Sequence, residues 1–569
     1  MNGVQSMCRA RPLLLFISLL ILPQAALAES APPKIATAAV AMPDRYGAAA
    51  SAAVLERGGN AVDAAVTAGF VLAVTYIEAG NLGGGGFMLI HMNGENAFLD
   101  YRETAPKAAS RDMYLDDKGE VIPQSSTMGA KAIGVPGTVA GLWMAHQRFG
   151  SLPWKELVQP AIELARAGFI PSDDLIDDIA EFLPYFGDKT NFGDYFGDLK
   201  KGAVLKQPEL ALTLERIAAN GPVGFYEGET ADLIVAEMDK RGGLISLEDL
   251  ASYKPLWRDP LAADWRDYKI LSAPPPSSGG FAVIQLVKMK DFLAEDFEGL
   301  AHNSPQYVHL IAEMEKRVFA DRAEYLGDPE FVEIDMQTLI SDDYIERRAG
   351  EVNASEISTL EAVPPGLESP DTTHYSIIDQ WGNAVSNTYT LNWSYGSGVV
   401  VSGAGFLLNN EMDDFSIKPG VPNIFGVVGG DANAVEPNKR PLSSMSPTML
   451  MKDGKPFMVV GTPGGSTIFT SVFQAIINVL DYDMTALEAV DASRFHHQLL
   501  PPDLITMSPS RPLPSETIQQ LEDKGYRVEP HNWEFGDVQL IIVNSEAIDA
   551  ASDPRNRGET ILIENITTR

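Results

Sequence analysis

A pair of threonines stands where a weakly patterned connection meets a strand-like segment. Thr372 and Thr373 follow a stretch, about 351–370, that is rich in Pro, Ser and Glu. A Thr pair is ordinary at the start of a strand, because β-branched residues favour extended backbone. A Thr hydroxyl is also a nucleophile when a base takes its proton, and the α-amino group of an N-terminal Thr is such a base. The pair alone leaves both interpretations open.

Polar and glycine-rich clusters follow the pair along the chain, and their position favours a functional role for it. The clusters are Tyr389–Asn392, Leu408–Phe415, Pro441–Pro447 and Gly461–Ser466. We therefore interpret the change of sequence pattern near residue 371 as a functional boundary.

Other chemistries find little support. The glycine run Gly83–Gly86 lacks the Lys-Ser/Thr of a phosphate loop and leads into a strand, so tight backbone packing explains it better. No G-x-S-x-G or H-E-x-x-H motif occurs, and the adjacent His496 and His497 point in different directions on a regular element. Cys8 is the only cysteine, which excludes intrachain disulfides and thiolate metal sites. We expect no cofactor and no metal.

Charge and composition limit the kinds of partner that the protein can bind. Among 569 residues, 43 Lys and Arg stand against 77 Asp and Glu, giving a net charge of −34. Such a polyanion repels nucleic acid and anionic membrane surfaces. With 45% hydrophobic residues, 49 Gly and 38 Pro, the composition is typical of a globular, loop-rich protein.

The N-terminus predicts export. Arg9 and Arg11 precede an apolar run, Leu13–Leu22, and Ala26–Ala28 forms a small-x-small cleavage site. The run is too short for a membrane anchor. We therefore expect residues 1–28 to be a signal peptide and the mature protein to be periplasmic or secreted.

Hydrophobic periodicity and turn signals predict the elements that position these residues. Asn60 caps a helix to about Val74, another helix includes Leu157–Gly168, and Ser304-Pro305 starts a third that stops near Gly327. A strand is expected at Val538–Val543. Three hairpins are predicted: Phe87–His91 with Ala97–Tyr101, His374–Asp379 with Ala384–Leu391, and Thr448–Met451 with Phe457–Gly461. Hairpins separated by helices argue for an α+β architecture in which two sheets pack together with helices outside.

The segment from Thr372 to about His497 closely resembles γ-glutamyltransferases, which are N-terminal-nucleophile hydrolases. The similarity continues upstream through the glycine run and Leu99–Glu103, and downstream to Ala551–Arg555, in family order. The resemblance implies a four-layer αββα sandwich of two antiparallel sheets between helices. It also implies self-cleavage between Asp371 and Thr372 into a large subunit, 29–371, and a small subunit, 372–569, which stay together as one globular heterodimer.

The resemblance further implies the reaction and its residues. Thr372 attacks a γ-glutamyl amide, as in glutathione and its conjugates, and the acyl group passes to water, an amino acid or a peptide. Thr390 orients the nucleophile, and the backbone N–H groups of Gly464 and Gly465 bind the oxyanion. The α-carboxylate is bound by Arg102, Ser443 and Ser444, and the α-ammonium by Asn392, Glu411 and Asp414.

Two positions depart from part of the family. Residue 411 is Glu where some bacterial members carry Gln, and either accepts a hydrogen bond from an ammonium. In the lid-like segment 422–430, Phe425 stands where many bacterial relatives have Tyr, so the lid lacks the hydroxyl for a closing hydrogen bond. The balance between transfer and hydrolysis is left open by this change.

Two alternatives remain beside the transferase. A same-fold acylase acting on β-lactam side chains, or a poly-γ-glutamate depolymerase, would use the same nucleophile, although some such relatives lack the lid that this chain keeps. A secreted solute-binding protein would keep Arg102 and Asp414 but would not need Thr372 as a terminus. N-terminal sequencing of the purified protein separates the self-cleaving enzymes from the binding protein, and turnover of glutathione against a glutaryl-β-lactam separates the transferase from the acylase.

Overall fold

In the computed structural model of the chain, the described residues are 36–359, 372–418, 430–498, 500–544 and 547–564. The predicted signal peptide, Asp371 and Phe425 lie outside these ranges. Sixteen strands and eighteen α-helices occur within them.

The first sheet has seven strands, all antiparallel to their neighbours, and it mixes strands from before and after Thr372. Its spatial order is β16 (Glu559–Glu564), β1 (Ala36–Met42), β7 (Thr373–Ile378), β8 (Ala384–Thr390), β2 (Gly85–Met92), β3 (Glu95–Asp100) and β4 (Leu256–Arg258). Thr372 directly precedes β7, so it lies at the end of a central strand.

The second sheet has six antiparallel strands, and it also combines both parts of the chain. Its order is β15 (Ile548–Ser552), β14 (Gln539–Val543), β10 (Lys455–Gly461), β9 (Thr448–Lys452), β6 (Tyr268–Ser272) and β5 (Leu261–Trp265). A small third sheet consists of β11 (Phe495–His496), β12 (Leu504–Met507) and β13 (Arg527–Pro530).

The two large sheets pack face to face, as the alternation of side chains along their strands requires. Phe87 and Leu89 of β2 pack between the sheets together with Val459 of β10. Met88 and Ile90, the alternate residues of β2, face the helices on the other side of the first sheet.

Helices cover both outer faces. The helices that pack on the first sheet are α1 (Arg45–Glu56), α2 (Ala61–Thr75), α3 (Thr138–Phe149), α4 (Trp154–Ala167), α5 (Asp173–Phe186), α6 (Phe192–Phe196), α7 (Pro208–Asn220), α8 (Val223–Tyr226), α9 (Gly228–Arg241) and α10 (Leu247–Ser252). Those that pack on the second are α11 (Gly279–Phe292), α12 (Ala294–Phe297), α13 (Pro305–Tyr325), α14 (Met336–Leu339), α15 (Asp342–Ala349), α16 (Thr467–Tyr482), α17 (Ala486–Asp491) and α18 (Ser515–Lys524). The expected αββα sandwich is thus confirmed.

Local signals explain where several elements begin and turn. The Asn60 side chain accepts hydrogen bonds from the backbone N–H of Val62 and Asp63, and the Asp63 carboxylate accepts one from the Asn60 backbone N–H, so a capping box starts α2. Both residues of the Asn93-Gly94 turn have positive φ, at 53° and 84°, as a type I′ hairpin needs.

Within the described ranges, none of the helices combines the length and the apolar character needed to cross a bilayer.

Candidate active site

Thr372 lies between two clefts and borders both of them. Thr372 itself is 7% exposed. The smaller cleft has an empty volume of about 320 Å³ and also contains Arg102. The larger cleft has an empty volume of about 910 Å³ and also contains Gly464. A nucleophile at this junction borders space on two sides.

The smaller cleft forms where strands of both sheets end. Arg102 follows β3, Thr390 is the last residue of β8, and Gly465 follows β10. Because neighbouring strand ends of the facing sheets meet at one edge, residues far apart in sequence come together there. The other polar lining residues follow or connect the strands: Asp414 ends a short 3-10 helix, Glu411–Asp414, and the remaining ones, Asn392, Ser443 and Ser444, belong to loops.

Arg102 is the buried cation of this cleft. Its Nη1 lies 2.6 Å from Glu411 Oε2, its Nη2 pairs with Asp414, and Glu103 Oε2 lies 3.7 Å from Nη1. Burial alone would lower the pKa of the guanidinium, but Glu411, Asp414 and Glu103 together raise it. Arg102 therefore stays charged although almost no water reaches it.

The three carboxyl groups around Arg102 outnumber its single charge. Burial raises the pKa of Glu103 to about 8, with Arg102 opposing this shift. Burial likewise raises the pKa of Glu411 and of Asp414, again against the effect of Arg102. A ligand that brings both an ammonium and a carboxylate suits this cluster, because the first compensates the acids and the second can bind the guanidinium.

Arg322 is a second buried arginine, which contacts the cleft only through Ser444, and sequence reasoning missed it. It lies in the last turn of α13, and its Nη2 donates to Ser444 Oγ at 3.3 Å. Its Nε donates to Ser278 Oγ at 2.9 Å, and Ser278 Oγ donates to the Ser443 carbonyl at 2.9 Å. Arg322 thus fixes the serine pair. The apolar stripe of α13 predicted its core face but gave no signal for this long-range contact.

Two glycines after β10 form a turn that leads into α16. Gly464 has φ 132° and Gly465 has φ 56°, both in the region that favours glycine. The backbone N–H of Thr467 donates to the Gly464 carbonyl at 3.0 Å, and its hydroxyl does so at 2.7 Å. Gly464 borders the larger cleft and Gly465 the smaller one. The turn lies at the N-terminus of a 16-residue helix, where the helix dipole favours negative charge.

Most of the residues expected at the site meet at the smaller cleft, with two differences of position. Gly464 borders the larger cleft, and Glu411 lies behind Arg102 without lining either cleft. The Thr390 hydroxyl accepts from the Asn392 backbone N–H at 2.7 Å. The Asn392 side chain donates to the Asn410 carbonyl at 3.0 Å. Asp371 lies outside the described residues.

Metal binding finds no support in the described part of the chain. Nowhere in it do three or more His, Cys, Asp or Glu side chains group in a way that could hold a metal ion.

Sequence comparisons match most of the chain to known proteins. Residues 47–563 match the family described as gamma-glutamyltranspeptidase. The chain is 57% identical over 526 residues to the glutathione hydrolase proenzyme of Pseudomonas aeruginosa, covering 92% of this chain and 94% of that protein. It is 48% identical over 514 residues to the glutathione hydrolase proenzyme of Escherichia coli, covering 88% of each.

Solved structures agree with the sequence comparisons. A gamma-glutamyltranspeptidase from Pseudomonas nitroreducens, complexed with L-DON, is 56% identical with a TM-score of 0.56, covering 57% of this chain and 96% of that one. A cephalosporin acylase from Bacillus halodurans has a TM-score of 0.80 and covers 96% of this chain and 100% of that one, but at 24% identity it shows the fold alone. From the match over most of its length and from these identities, the chain belongs to the gamma-glutamyltranspeptidase family.

Proposed function

We propose that the chain is a self-processing γ-glutamyltransferase and glutathione hydrolase, with Thr372 as its nucleophile. One observation carries the assignment of the site. Thr372 borders a small cleft in which a buried guanidinium, a carboxylate and two serine hydroxyls stand together, and these groups suit the zwitterionic end of a γ-glutamyl compound.

Processing comes first. The Thr372 hydroxyl attacks the carbonyl carbon of Asp371, the C–N bond to Thr372 breaks, and the acyl group moves to the hydroxyl oxygen as an ester. Water then hydrolyses this ester, which leaves a carboxylate on Asp371 and a free α-amino group on Thr372. The products are a large subunit ending at residue 371 and a small subunit, 372–569.

The new terminus supplies the base for turnover. An α-amino group has an ordinary pKa of about 8, so part of it is neutral near pH 7. It takes the proton of the Thr372 hydroxyl as the oxygen attacks the γ-carbonyl of the donor. The negative charge that develops on the carbonyl oxygen is stabilised by backbone N–H groups of Gly464 and Gly465.

Acyl transfer completes the cycle. The tetrahedral intermediate collapses, the leaving amine takes the proton held by the α-amino group, and a γ-glutamyl ester remains on Thr372. Water then releases glutamate, or an amino acid or peptide amine forms a new γ-glutamyl amide. In either case, the Thr372 oxygen recovers a proton as it leaves.

Recognition of the donor follows from the charges in the small cleft. Arg102, Ser443 and Ser444 bind the α-carboxylate, with Arg322 holding Ser444. Asp414 and Asn392 accept from the α-ammonium, while Glu411 acts through Arg102, whose charge it helps to balance. Export by a cleaved signal peptide, 1–28, is part of the same proposal.

A matched pair of donors tests this function. γ-Glutamyl-p-nitroanilide and glutaryl-p-nitroanilide differ only in the α-ammonium group, which the glutaryl compound lacks. We expect turnover of the first, with kcat/KM at least about 100-fold higher, given the cost of leaving a buried charge unpaired. Equal turnover of the two would favour the acylase instead, and an uncut protein that binds glutamate without turnover would favour a solute-binding protein.

A further inference from the structure

The glycine run Gly83–Gly86 has no part in the proposed mechanism, but it packs against two segments that do. A Cβ at Gly84 would lie 2.0 Å from the carbonyl oxygen of Thr390. A Cβ at Gly83 would lie 2.2 Å from the carbonyl oxygen of Leu407. Because backbone atoms cannot give way to a side chain, both positions require glycine. The run therefore allows both segments to pack directly on its backbone.

Asn81, which precedes the run, uses its full hydrogen-bonding capacity there. Its Nδ2 donates to the carbonyls of Ala79 and Thr390, both at 2.9 Å. Its Oδ1 accepts from the backbone N–H of Gly84 at 3.0 Å and from the Thr138 hydroxyl at 2.6 Å. A backbone N–H only donates and a carbonyl only accepts, so the orientation of the amide is fixed. Asn81 thus holds the backbone of Thr390 in place.

Asn409 makes the same set of four bonds on the other side of the run. Its Nδ2 donates to the carbonyls of Gly83 at 2.8 Å and Gly134 at 2.9 Å. Its Oδ1 accepts from the backbone N–H of Gly134 at 2.9 Å and of Glu411 at 3.0 Å. Asn409 is fully buried, so water does not compete for these bonds. It thus holds the backbone of Glu411, whose carboxylate lies 2.6 Å from Arg102.

The two amides support different parts of the site. Thr390 borders the smaller cleft together with Thr372, and its hydroxyl is expected to orient the nucleophile. Glu411 lines neither cleft and acts on the donor through Arg102. Buried polar networks whose members are all satisfied hold their surroundings rigidly. One amide therefore bears on the chemical step, and the other on donor binding.

We infer that Asn81 and Asn409 are positioning residues with separate effects. Asn81 places Thr390 for the chemical step. Asn409 places Glu411, which pairs with Arg102, for donor binding. This inference rests on the proposed function. It predicts that two amides with the same set of bonds to one glycine run act on different kinetic constants.

Exchange of each Asn for Asp tests this, because it preserves the shape of the side chain and removes its N–H groups. An ionised Asp directs an oxygen at two carbonyls, and a protonated Asp has one donor for both. With γ-glutamyl-p-nitroanilide as donor, we expect Asn81→Asp to lower kcat roughly 10–100-fold with little change in KM, since a misplacement of about 1 Å can cost 100-fold. Asn409→Asp should raise KM with a smaller effect on kcat. The same change of kcat and KM in both variants would overturn the inference.

A double-mutant cycle tests whether Asn81 acts through Thr390. If it does, Asn81→Asp lowers kcat much less in a Thr390→Ala background than in the wild type, because the residue that it positions no longer carries a hydroxyl. A loss of kcat that is equally large in both backgrounds would contradict the positioning of Thr390.

Thr138 provides a milder change at the same amide, which decides the matter if Asn81→Asp does not fold. Thr138→Ala removes only the hydroxyl that donates to Asn81 Oδ1, and the Gly84 N–H bond remains. We expect kcat to fall roughly 2–10-fold with KM unchanged, as for the loss of one buried hydrogen bond. Thr138→Ser keeps the hydroxyl and should restore kcat. An unchanged kcat in processed Thr138→Ala protein would overturn the role of Asn81.

Asn191 is the matched control for a buried acid. It is 4% exposed, donates to the Val400 carbonyl at 2.8 Å and accepts from the Val400 backbone N–H at 3.0 Å, but Val400 lines neither cleft. Asn191→Asp should lower the melting temperature and leave kcat and KM unchanged. A loss of kcat as large as in Asn81→Asp would contradict the inference. Absence of donor turnover in the wild-type protein would instead overturn the proposed function.

Discussion

Two neighbouring threonines have identical side chains but different surroundings. Thr372 borders both clefts, whereas Thr373 is the first residue of β7 and fully buried, and its hydroxyl has no hydrogen-bond partner among the described residues. The sequence pattern around the pair did not distinguish them, and only the resemblance to a family assigned the nucleophile to the first. Because of this difference in position, substitution of Thr372 tests the role of the nucleophile, and the same substitution of Thr373 serves as its control.

Thr372→Ala removes the proposed nucleophile of both processing and turnover. We expect this variant to stay as one uncut chain with no detectable γ-glutamyl turnover, and Thr372→Ser to keep part of both activities because it retains a hydroxyl. Gel electrophoresis and donor hydrolysis measure these outcomes. Thr373→Ala should process and turn over normally. A cut, two-subunit Thr372→Ala protein would refute self-cleavage by this residue.

Arg102→Lys keeps a positive charge but loses the guanidinium fork. Hydrogen bonds to charged groups contribute about 1.5–3 kcal/mol, so we expect kcat/KM for γ-glutamyl-p-nitroanilide to fall roughly 10–150-fold, mostly through KM. Steady-state kinetics on fully processed protein measures the effect. Arg258→Lys is the control, since Arg258 pairs with Asp100 outside the cleft. An unchanged KM in Arg102→Lys would remove Arg102 from donor binding.

The limits of sequence reasoning at this scale come from side chains that meet across the fold. Without the resemblance, Arg102 would be interpreted as a surface partner of its neighbours Asp100 or Glu103. The structure buries it against Glu411 and Asp414, more than 300 residues away. Arg322 at Ser444 and Arg557 at the larger cleft have no local pattern that would identify them.

At the scale of elements, the turn between β10 and α16 places the backbone N–H groups proposed to bind the oxyanion. A Cβ at Gly464 would lie 2.3 Å from Thr467 Oγ1, and the residue that carries it would have to adopt a φ of 132°. The variant would therefore displace the hydroxyl that holds the Gly464 carbonyl.

We expect Gly464→Ala to lower kcat by at least about 10-fold, with little change in KM, because it displaces the turn and its N–H groups, and complete loss of one oxyanion donor costs about 2.7–4 kcal/mol. Gly454→Ala is the control. Gly454 also has positive φ, at 76°, in the turn between β9 and β10, but a Cβ there meets nothing within 4 Å. It should lose a little stability and no kcat. Equal kcat in Gly464→Ala and the wild type would exclude the turn from the oxyanion site.

Helix α13 carries a buried ionic cluster that contacts the backbone of Ser358, which precedes the proposed cleavage site in the sequence. Glu313 lies 2.9 Å from Lys316 and 3.0 Å from Arg317, and it accepts from the Ser358 backbone N–H. Lys316 also donates to the Ser358 carbonyl at 3.2 Å. The helix thereby anchors the chain at residue 358.

The pKa of Glu313 predicts how this cluster responds to pH. Burial would raise it, but Lys316, Ser358 and Arg317 lower it to about 2 from an ordinary 4.5. Because the folded pKa is depressed, the carboxylate stabilises the fold above about pH 4.5, and this contribution is lost as pH falls towards 2. We expect Glu313→Gln to melt several degrees lower than the wild type at pH 7, with the gap closing between pH 5 and 2.

Thermal melting across this pH range measures the gap. Glu248→Gln is the control, because Glu248 forms an exposed pair with Lys107 and such pairs contribute little. A gap that stays constant from pH 7 to 3 would contradict the depressed pKa of Glu313.

Element boundaries were largely predictable from local signals. The three hairpins, the helix capped by Asn60 and the helix opened by Ser304-Pro305 all occur, the last ending at Tyr325, two residues before the predicted stop at Gly327. Turn and cap residues act within a few positions, which is why a single sequence identifies them.

At the scale of the whole molecule, the strand order was not predictable, because it depends on long-range pairing. β1 lies between β7 and β16, and β6 pairs with β9, so both large sheets join strands from before and after Thr372. A chain cut before Thr372 would still be held by these ladders and by the core between the sheets. This interleaving explains how two subunits would remain one heterodimer.

The most direct test is the identity of the N-termini in fully active protein. The active material should elute as one species under native conditions and give two polypeptides on denaturation, the smaller beginning at Thr372 by N-terminal sequencing and intact mass. A single continuous polypeptide in fully active material would contradict the account, since Thr372 would then have no free α-amino group to act as its base.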